Sequence, residues 1–385
     1  MAGLSLLALF MFACAAPACA AGRAGARSLP SSSTRAFSSD MTITVRGNLT
    51  VITNYYSQSL GGTVTVRVLL PEGYDSSGKR YPALYAAQGA GSPAFSSSGG
   101  KAGAPVVISV DAGDKRWRAC APFMNAAGEG GGAAACADFF SRDIFPYMEA
   151  NYRLLRGREN RAFAGEGPAG LLALYFLAQR PQLFSRAAAF SPAPDWSEEE
   201  LREMLKTAEF APDAKLWLSA KLGADGLSGA RSAPAALARL ETALIAKGMR
   251  FAGNLLAYFD RGGADARQGP SRETEFALRW LFGNEDMKLS SAAAFSTARA
   301  AGVKSGPEYI LFSARLKFAG GLEADYIPPA AKSSPPYFTW DGGVFRLARG
   351  AEPGTVRLYG EYEGREFSTK VRLTDSKPAA GKPKR

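Results

Sequence analysis

The sequence predicts an α/β protein: a mostly parallel sheet covered by helices on both faces, followed by a small all-β sandwich. Three observations carry that expectation. Between residues 83 and 282, short apolar runs alternate with segments of helical period. Near Asp286 the alternation stops. From 309 to 373 only short strand-like runs remain, broken by turns such as Asp341-Gly342-Gly343, Pro353-Gly354 and Glu363-Gly364. Continuous apolar strands belong in a sheet buried on both faces, whereas short strands with frequent turns suit a sandwich.

In chain order, residues 1–20 hold an apolar run over 4–14 and then small residues. Ala18-Cys19-Ala20 fits an A-x-A cleavage site, so a secretory signal is expected, with lipoprotein processing at Cys14 or Cys19 as the alternative. Residues 21–40, rich in Gly, Ala, Ser and Arg, read as a flexible linker. The α/β domain is expected over 41–288. It opens with alternating strands at 43–45, 49–51 and 64–70, then a turn-rich crossing at 71–82. Strands follow at 83–87 and 106–110, then a helix at 138–152. Strand 162–164 leads to helix 171–179, strand 187–190 to helix 198–207, strand 216–220 to helix 233–247, and strand 255–259 to helix 272–282. The Ala-rich stretch 289–305 reads as a second linker. Residues 306–375 form the expected sandwich, and 376–385 a basic, Pro-rich, disordered tail.

The chain has 385 residues, 46% hydrophobic and 21% charged, which is enough for a sizeable core and excludes a disordered protein. Its formal charge of +11 points to anionic surfaces such as envelope polymers, against the plainer reading of a solvated basic surface. No motif gives specificity for nucleic acid. Past the first 20 residues only Cys120 and Cys136 remain. In an exported chain they are expected to form a disulfide clamping the Gly/Ala-rich loop between them; the rival, a reactive thiol, lacks an imidazole to activate it.

The most informative stretch is RAFAGEGPAG at 161–170. An apolar strand runs into a Gly-rich corner and an apolar helix follows. This is the form of a nucleophile elbow, G-x-S-x-G, in which small residues flank a reactive serine on a strained turn. Gly165 and Ala169 hold the flanking small positions, and Gly167 stands where the serine would be.

The runs VRVLLPEGYDSSGKRYPALY (66–85), DIFPYMEANYRL (143–154), ENRAFAGEGPAGLLALYFLAQRPQLFSRAAAFSP (159–192) and ALRWLF (277–282) resemble secreted esterases of the enterochelin-esterase, feruloyl-esterase and mycolyltransferase group. The resemblance covers most of 45–283 and implies an α/β-hydrolase fold with a Ser-Asp-His triad acting on esters. Residues 306–375 are similar to bacterial Ig-like domains.

Against that family the reactive groups are missing. Gly167 has no side chain, and the chain contains no histidine at all. The family's histidine would fall at Ala264 or Asp265, and its acid near Asp225. Pro168, the residue after the nucleophile position, has no N–H to offer an oxyanion hole. The other donor loop reads Gln88-Gly89 where the family has His-Gly. Other chemistry is thinly supported. Glu166, Asp111, Asp114 and Glu129 could supply a carboxylate pair for glycoside hydrolysis, though solvated loop acids are the simpler reading. Metal-ligand spacing and a phosphate loop are both absent from the sequence, and no cofactor is called for. Ser191 reads as a strand-end residue. Trp117 and Trp196, placed in loops, join Gln88 and Glu166 as candidate ligand contacts. The expectation is therefore an exported, catalytically inactive, esterase-like protein that binds envelope glycan or polysaccharide. The alternative is a carboxylic-ester hydrolase using an unrecognised arrangement.

Overall fold

A nine-stranded sheet, in the order β1-β2-β3-β5-β4-β6-β7-β8-β9, forms the spine of the computed structural model. The structure describes residues 40–89, 95, 103–193, 196–221, 233–260, 272–296, 300–302 and 309–375. The expected signal, first linker and basic tail fall outside these apart from residue 40, as do Asp225, Ala264 and Asp265.

Strands β1 (Thr42–Arg46), β2 (Leu49–Ser57) and β3 (Gly62–Leu69) pair antiparallel, and β3 pairs antiparallel with β5 (Val106–Asp111). From β5 onward all neighbours are parallel: β4 (Ala83–Gln88), β6 (Arg161–Glu166), β7 (Arg186–Phe190), β8 (Lys215–Lys221) and β9 (Leu255–Asp260). The sequences ALYAA, AFAG, AAAF, LWLSA and LLAYF are buried at every residue, as strands covered on both faces must be.

Between β5 and β6 lie α1 (Asp114–Ala119), α2 (Ala133–Asp138), a π-helical turn (Phe139–Ile144) and α3 (Phe145–Asn151). The single helix expected over 138–152 is thus a broken one that begins earlier. The remaining helices are α4 (Pro168–Gln179), α5 (Glu198–Thr207), α6 (Ala233–Ala246) and α7 (Arg272–Phe282). Helices α1 to α6 pack on one face of the sheet, around an aromatic cluster of Tyr85, Phe140, Phe163, Phe176 and Phe184. Helix α7 covers the other face through Phe276, Ala277 and Trp280.

The C-terminal strands form two largely antiparallel sheets. One holds β10 (Leu289–Ser296), β12 (Tyr309–Phe318), β13 (Glu323–Tyr326), β15 (Phe338–Asp341) and β16 (Val344–Leu347). The other holds β11 (Ala300–Gly302), β14 (Ala331–Ser334), β17 (Gly354–Tyr362) and β18 (Arg365–Thr374). The linker expected at 289–305 is therefore corrected: β10 pairs with β12 from Leu289↔Phe318 to Ser296↔Phe312. Its Ser/Ala composition shows little hydrophobic alternation, so only the partner strand makes it a strand. All described residues belong to one compact unit, and Leu311, Ile327 and Val344 share a core with α6.

One contact locks the C-terminal strands onto the large sheet. β9 is an edge strand, and its backbone groups need partners. The Asp325 carboxylate accepts the Phe259 N–H at 2.7 Å, while Arg315 Nη2 donates to the Phe259 carbonyl at 2.8 Å. Arg315 and Asp325 also pair with each other at 2.8 Å, and Asp325 is fully buried.

Candidate functional site

At the end of β6 the chain turns sharply into α4, and the corner residue is Gly167, with φ 57° and ψ −123°. An L-residue adopts that backbone only under strain, whereas glycine does so without penalty. The corner is tight. A Cβ on Gly165 would lie 2.3 Å from the Ala169 carbonyl oxygen, so glycine is obligatory there. A Cβ on Gly167 would meet nothing within 4 Å. The position therefore points into open space, as a nucleophile position does. The Gly167 N–H donates to the Phe190 carbonyl at 3.0 Å, tying the corner to β7.

At the corner itself neither a nucleophilic side chain nor a following N–H is present. Gly167 has no nucleophilic atom. Pro168 opens α4 at its first position, so the N–H that would face a developing oxyanion does not exist. Gln88 ends β4, and its carbonyl accepts the Trp117 indole N–H at 2.8 Å.

Around the corner the parallel register gathers charged ends that the sequence reading did not group. Glu166 is level with Phe190, Phe190 with Ser219, and Ser219 with Tyr258; Lys221 is level with Asp260. Glu166 Oε1 pairs with Lys221 Nζ at 2.7 Å, so this candidate ligand contact already has a partner. Over them, from the first turn of α7, sits Glu273, only 3% exposed. Ser219 Oγ lies beside its carboxyl, but neither Glu273 Oε1 nor that hydroxyl reaches hydrogen-bond geometry. Burial pushes the Glu273 carboxyl up to about 7. Asp260 and Glu166 add to the rise, while Ser219 and Lys221 oppose it. Lys221, Asp260 and Glu273 could have been suspected from one signal: each is a charge beside an apolar run, at a strand end or in the first helical turn.

The other candidates are engaged elsewhere. Trp117 lies on α1 and not in a loop; it is 5% exposed and offers no face to a ligand. Trp196 is half-buried, donates its indole N–H to Phe123 O at 2.9 Å, and carries the Arg118 guanidinium 4.8 Å above its ring. Arg118 in turn holds Glu129 as an ion pair, which with the Asn125 amide keeps that carboxylate below its ordinary range. Asp111 pairs with Arg67 at 3.4 Å, and Asp114 opens α1. Ser191, just past β7, accepts the Lys221 backbone N–H at 3.2 Å. Cys120 and Cys136 are joined by a disulfide, their Cα atoms 6.0 Å apart, which clamps the end of α1 to α2. Among the described residues no group of three His, Cys, Asp or Glu side chains could hold a metal ion.

The α/β part of the chain matches the Putative esterase family over residues 57–246. Two esterases of Mycobacterium tuberculosis, from strains CDC 1551 / Oshkosh and ATCC 25618 / H37Rv, are each 30% identical over 145 residues. That alignment spans 36% of this chain and only 31% of the relatives' length. Among solved structures, an IroE-like serine hydrolase from Shewanella oneidensis superposes with a TM-score of 0.46 at 18% identity, covering 63% of this chain and 79% of that one. A ferulic acid esterase from Anaeromyces mucronatus gives 0.43 at 21% identity, covering 65% and 94%. The esterase-like match takes in the corner, but none of these similarities supplies the missing side chains.

Proposed function

We propose that this esterase-like protein does not hydrolyse esters and instead binds a ligand through a remodelled site. The observation that carries the reading is the corner itself: backbone geometry suited to a nucleophile, occupied by Gly167 and followed by Pro168. A nucleophile, a base to take its proton and an oxyanion donor must act together. Without a nucleophile at the corner, an imidazole base and one of the oxyanion donors, a substrate carbonyl meets no familiar reactive set. The absence of histidine from the whole chain supports the same reading.

The proposal extends to setting. The first 20 residues act as an export signal, and the protein works at the cell envelope. The C-terminal strands form an Ig-like sandwich that spaces or attaches the esterase-like part. The ligand is an envelope glycan or polysaccharide, favoured by the net charge of +11. The test is twofold. Purified protein incubated with short-chain aryl and feruloyl esters should give no hydrolysis above buffer, and an immobilised set of envelope glycans should retain it. Turnover titrated by a serine-directed phosphonate would overturn the first half.

One observation favours the second reading, a hydrolase of unfamiliar arrangement. Glu273, held near 7 at the same end of the sheet, has the proton affinity of a general acid–base group. On that reading ester turnover would exist and would vanish in Glu273→Gln.

A further inference from the structure

A groove of about 360 Å³ runs between α5 and α6, lined by these two helices and by Lys247 just past α6, separate from the corner at Gly167. Its floor is apolar: Leu201 and Leu205 from α5, and Leu240 from α6 with the small side chains Ala236, Ala243 and Ala246 beside it. Its rim is basic, with Arg202, Lys206, Arg239 and Lys247 against the single carboxylate Glu198. We infer that this groove binds a free long-chain carboxylate, with the alkyl chain along the leucine floor and the carboxylate at the basic rim.

Three features select that occupant. The first is size. From Ala236 to Ala246 the groove follows α6 for ~15 Å at the helical rise of 1.5 Å per residue, the reach of an extended alkyl chain. Its volume lies at the low end of the ~300–1,000 Å³ typical of small-molecule sites, and a partner helix, ~10 Å across, would need far more. The second is the lining. The three leucines are buried in the core cluster, while the half-buried Ala236 and Ala243 and the exposed Ala246 leave apolar surface that an alkyl chain laid beside them would cover. Alanines at Ala236, Ala243 and Ala246 are what keeps the space empty.

The third is charge. Arg202 pairs with Glu199 at 2.7 Å and Glu198 at 3.3 Å, and Lys206 pairs with Glu203 at 2.5 Å, all within α5. Arg239 and Lys247 have no carboxylate partner among the described residues; Lys247 Nζ donates only to the Lys206 carbonyl. Two cations without anionic partners beside an apolar trough suit an anionic amphiphile and oppose a cationic one. The assignment does not depend on whether the corner at Gly167 is reactive.

The test is calorimetric titration of the full-length protein with sodium dodecanoate below its micelle threshold, and with dodecyltrimethylammonium as the same chain with opposite charge. Dodecanoate should saturate at one site and bind at least tenfold more tightly than the cation. Arg239→Glu combined with Lys247→Glu should weaken it at least tenfold, and Ala243→Trp should fill the groove and abolish it. Should Ala243→Trp fail to fold, Ala246→Trp at a more exposed position serves the same purpose. Absence of saturation, equal affinity for the two amphiphiles, or undiminished binding by a folded groove-filling variant would each overturn the inference.

Discussion

Glu273→Gln offers the sharpest test of the charged cluster beside the corner, because it converts burial into a pH-dependent stability. In the unfolded chain the carboxyl titrates at its ordinary 4.5, and in the folded protein near 7. Below 4.5 both states hold the proton, so the group has no effect on the balance. Between 4.5 and about 7 only the folded state still binds it, and stability falls as pH rises. Above about 7 both states are ionised and the loss is complete. A difference of about 2.5 pH units at ~1.36 kcal/mol each gives a loss of about 3 kcal/mol, little screened because the residue is 3% exposed. The glutamine variant carries no titrating proton. Urea unfolding of both proteins from pH 4 to 8.5 should therefore give curves that diverge with pH, the variant becoming more stable by about 3 kcal/mol at the alkaline end relative to pH 4. The difference cancels every other titrating group. A difference that stays flat across pH would show that Glu273 is solvated or paired in solution, and would remove its candidacy as an acid–base group.

Other expectations can be checked alongside. Gly167→Ser should fit the open space but lose about 1–3 kcal/mol of stability to backbone strain, and should hydrolyse no ester; adding histidine at Ala264 or Asp265 and then Pro168→Met should give the largest gain at the last step, since one oxyanion donor is worth roughly 10²–10³ in rate. Initial rates across the single, double and triple variants measure this, and full activity from the serine alone would reveal a hidden base. Asp325→Asn should destabilise the whole unit by about 1–3 kcal/mol, because it removes the nearer of the two carboxylates paired with Arg315, leaving only Glu323 at 3.3 Å; the urea midpoint reads it out. Cys120→Ser with Cys136→Ser should cost about 3 kcal/mol for a loop of this size, and non-reduced peptide mass spectrometry of exported wild-type protein should find the pair linked.

Features set by local chemistry were legible in the sequence. The parallel strands announce themselves because ALYAA or LWLSA cannot face water on either side. The corner was legible because Gly165 and Ala169 answer to contacts within a few residues of each other. Features set by partners distant in the chain were not. Trp117 reads as a loop residue because α1 has only six residues, too short for a periodic signal. Strand β10 is hidden in Ser and Ala because its pairing comes from β12. Glu166, Lys221, Asp260 and Glu273 are spread over more than 100 residues, and only the register of β6 to β9 together with the packing of α7 gathers them. The positions expected to hold the family's acid and histidine lie outside the described residues.

On the proposed reading, the corner keeps the shape of a nucleophile site without its chemistry. Nothing that holds Gly167 at φ 57° depends on a nucleophile. The Gly167 N–H is bound by Phe190, the close approach of Gly165 to Ala169 fixes the entry of α4, and Gly170 is confined by Pro192 and Phe190. Serine at such a corner stores strain that catalysis alone would justify. Glycine relieves that strain, and proline at the first helical position pre-sets the helix that follows. Both residues therefore favour the corner as structure while removing, respectively, the nucleophile and one oxyanion donor. Stability and chemistry pull in opposite directions at residues 167 and 168, and at both positions this chain carries the residue that stability prefers.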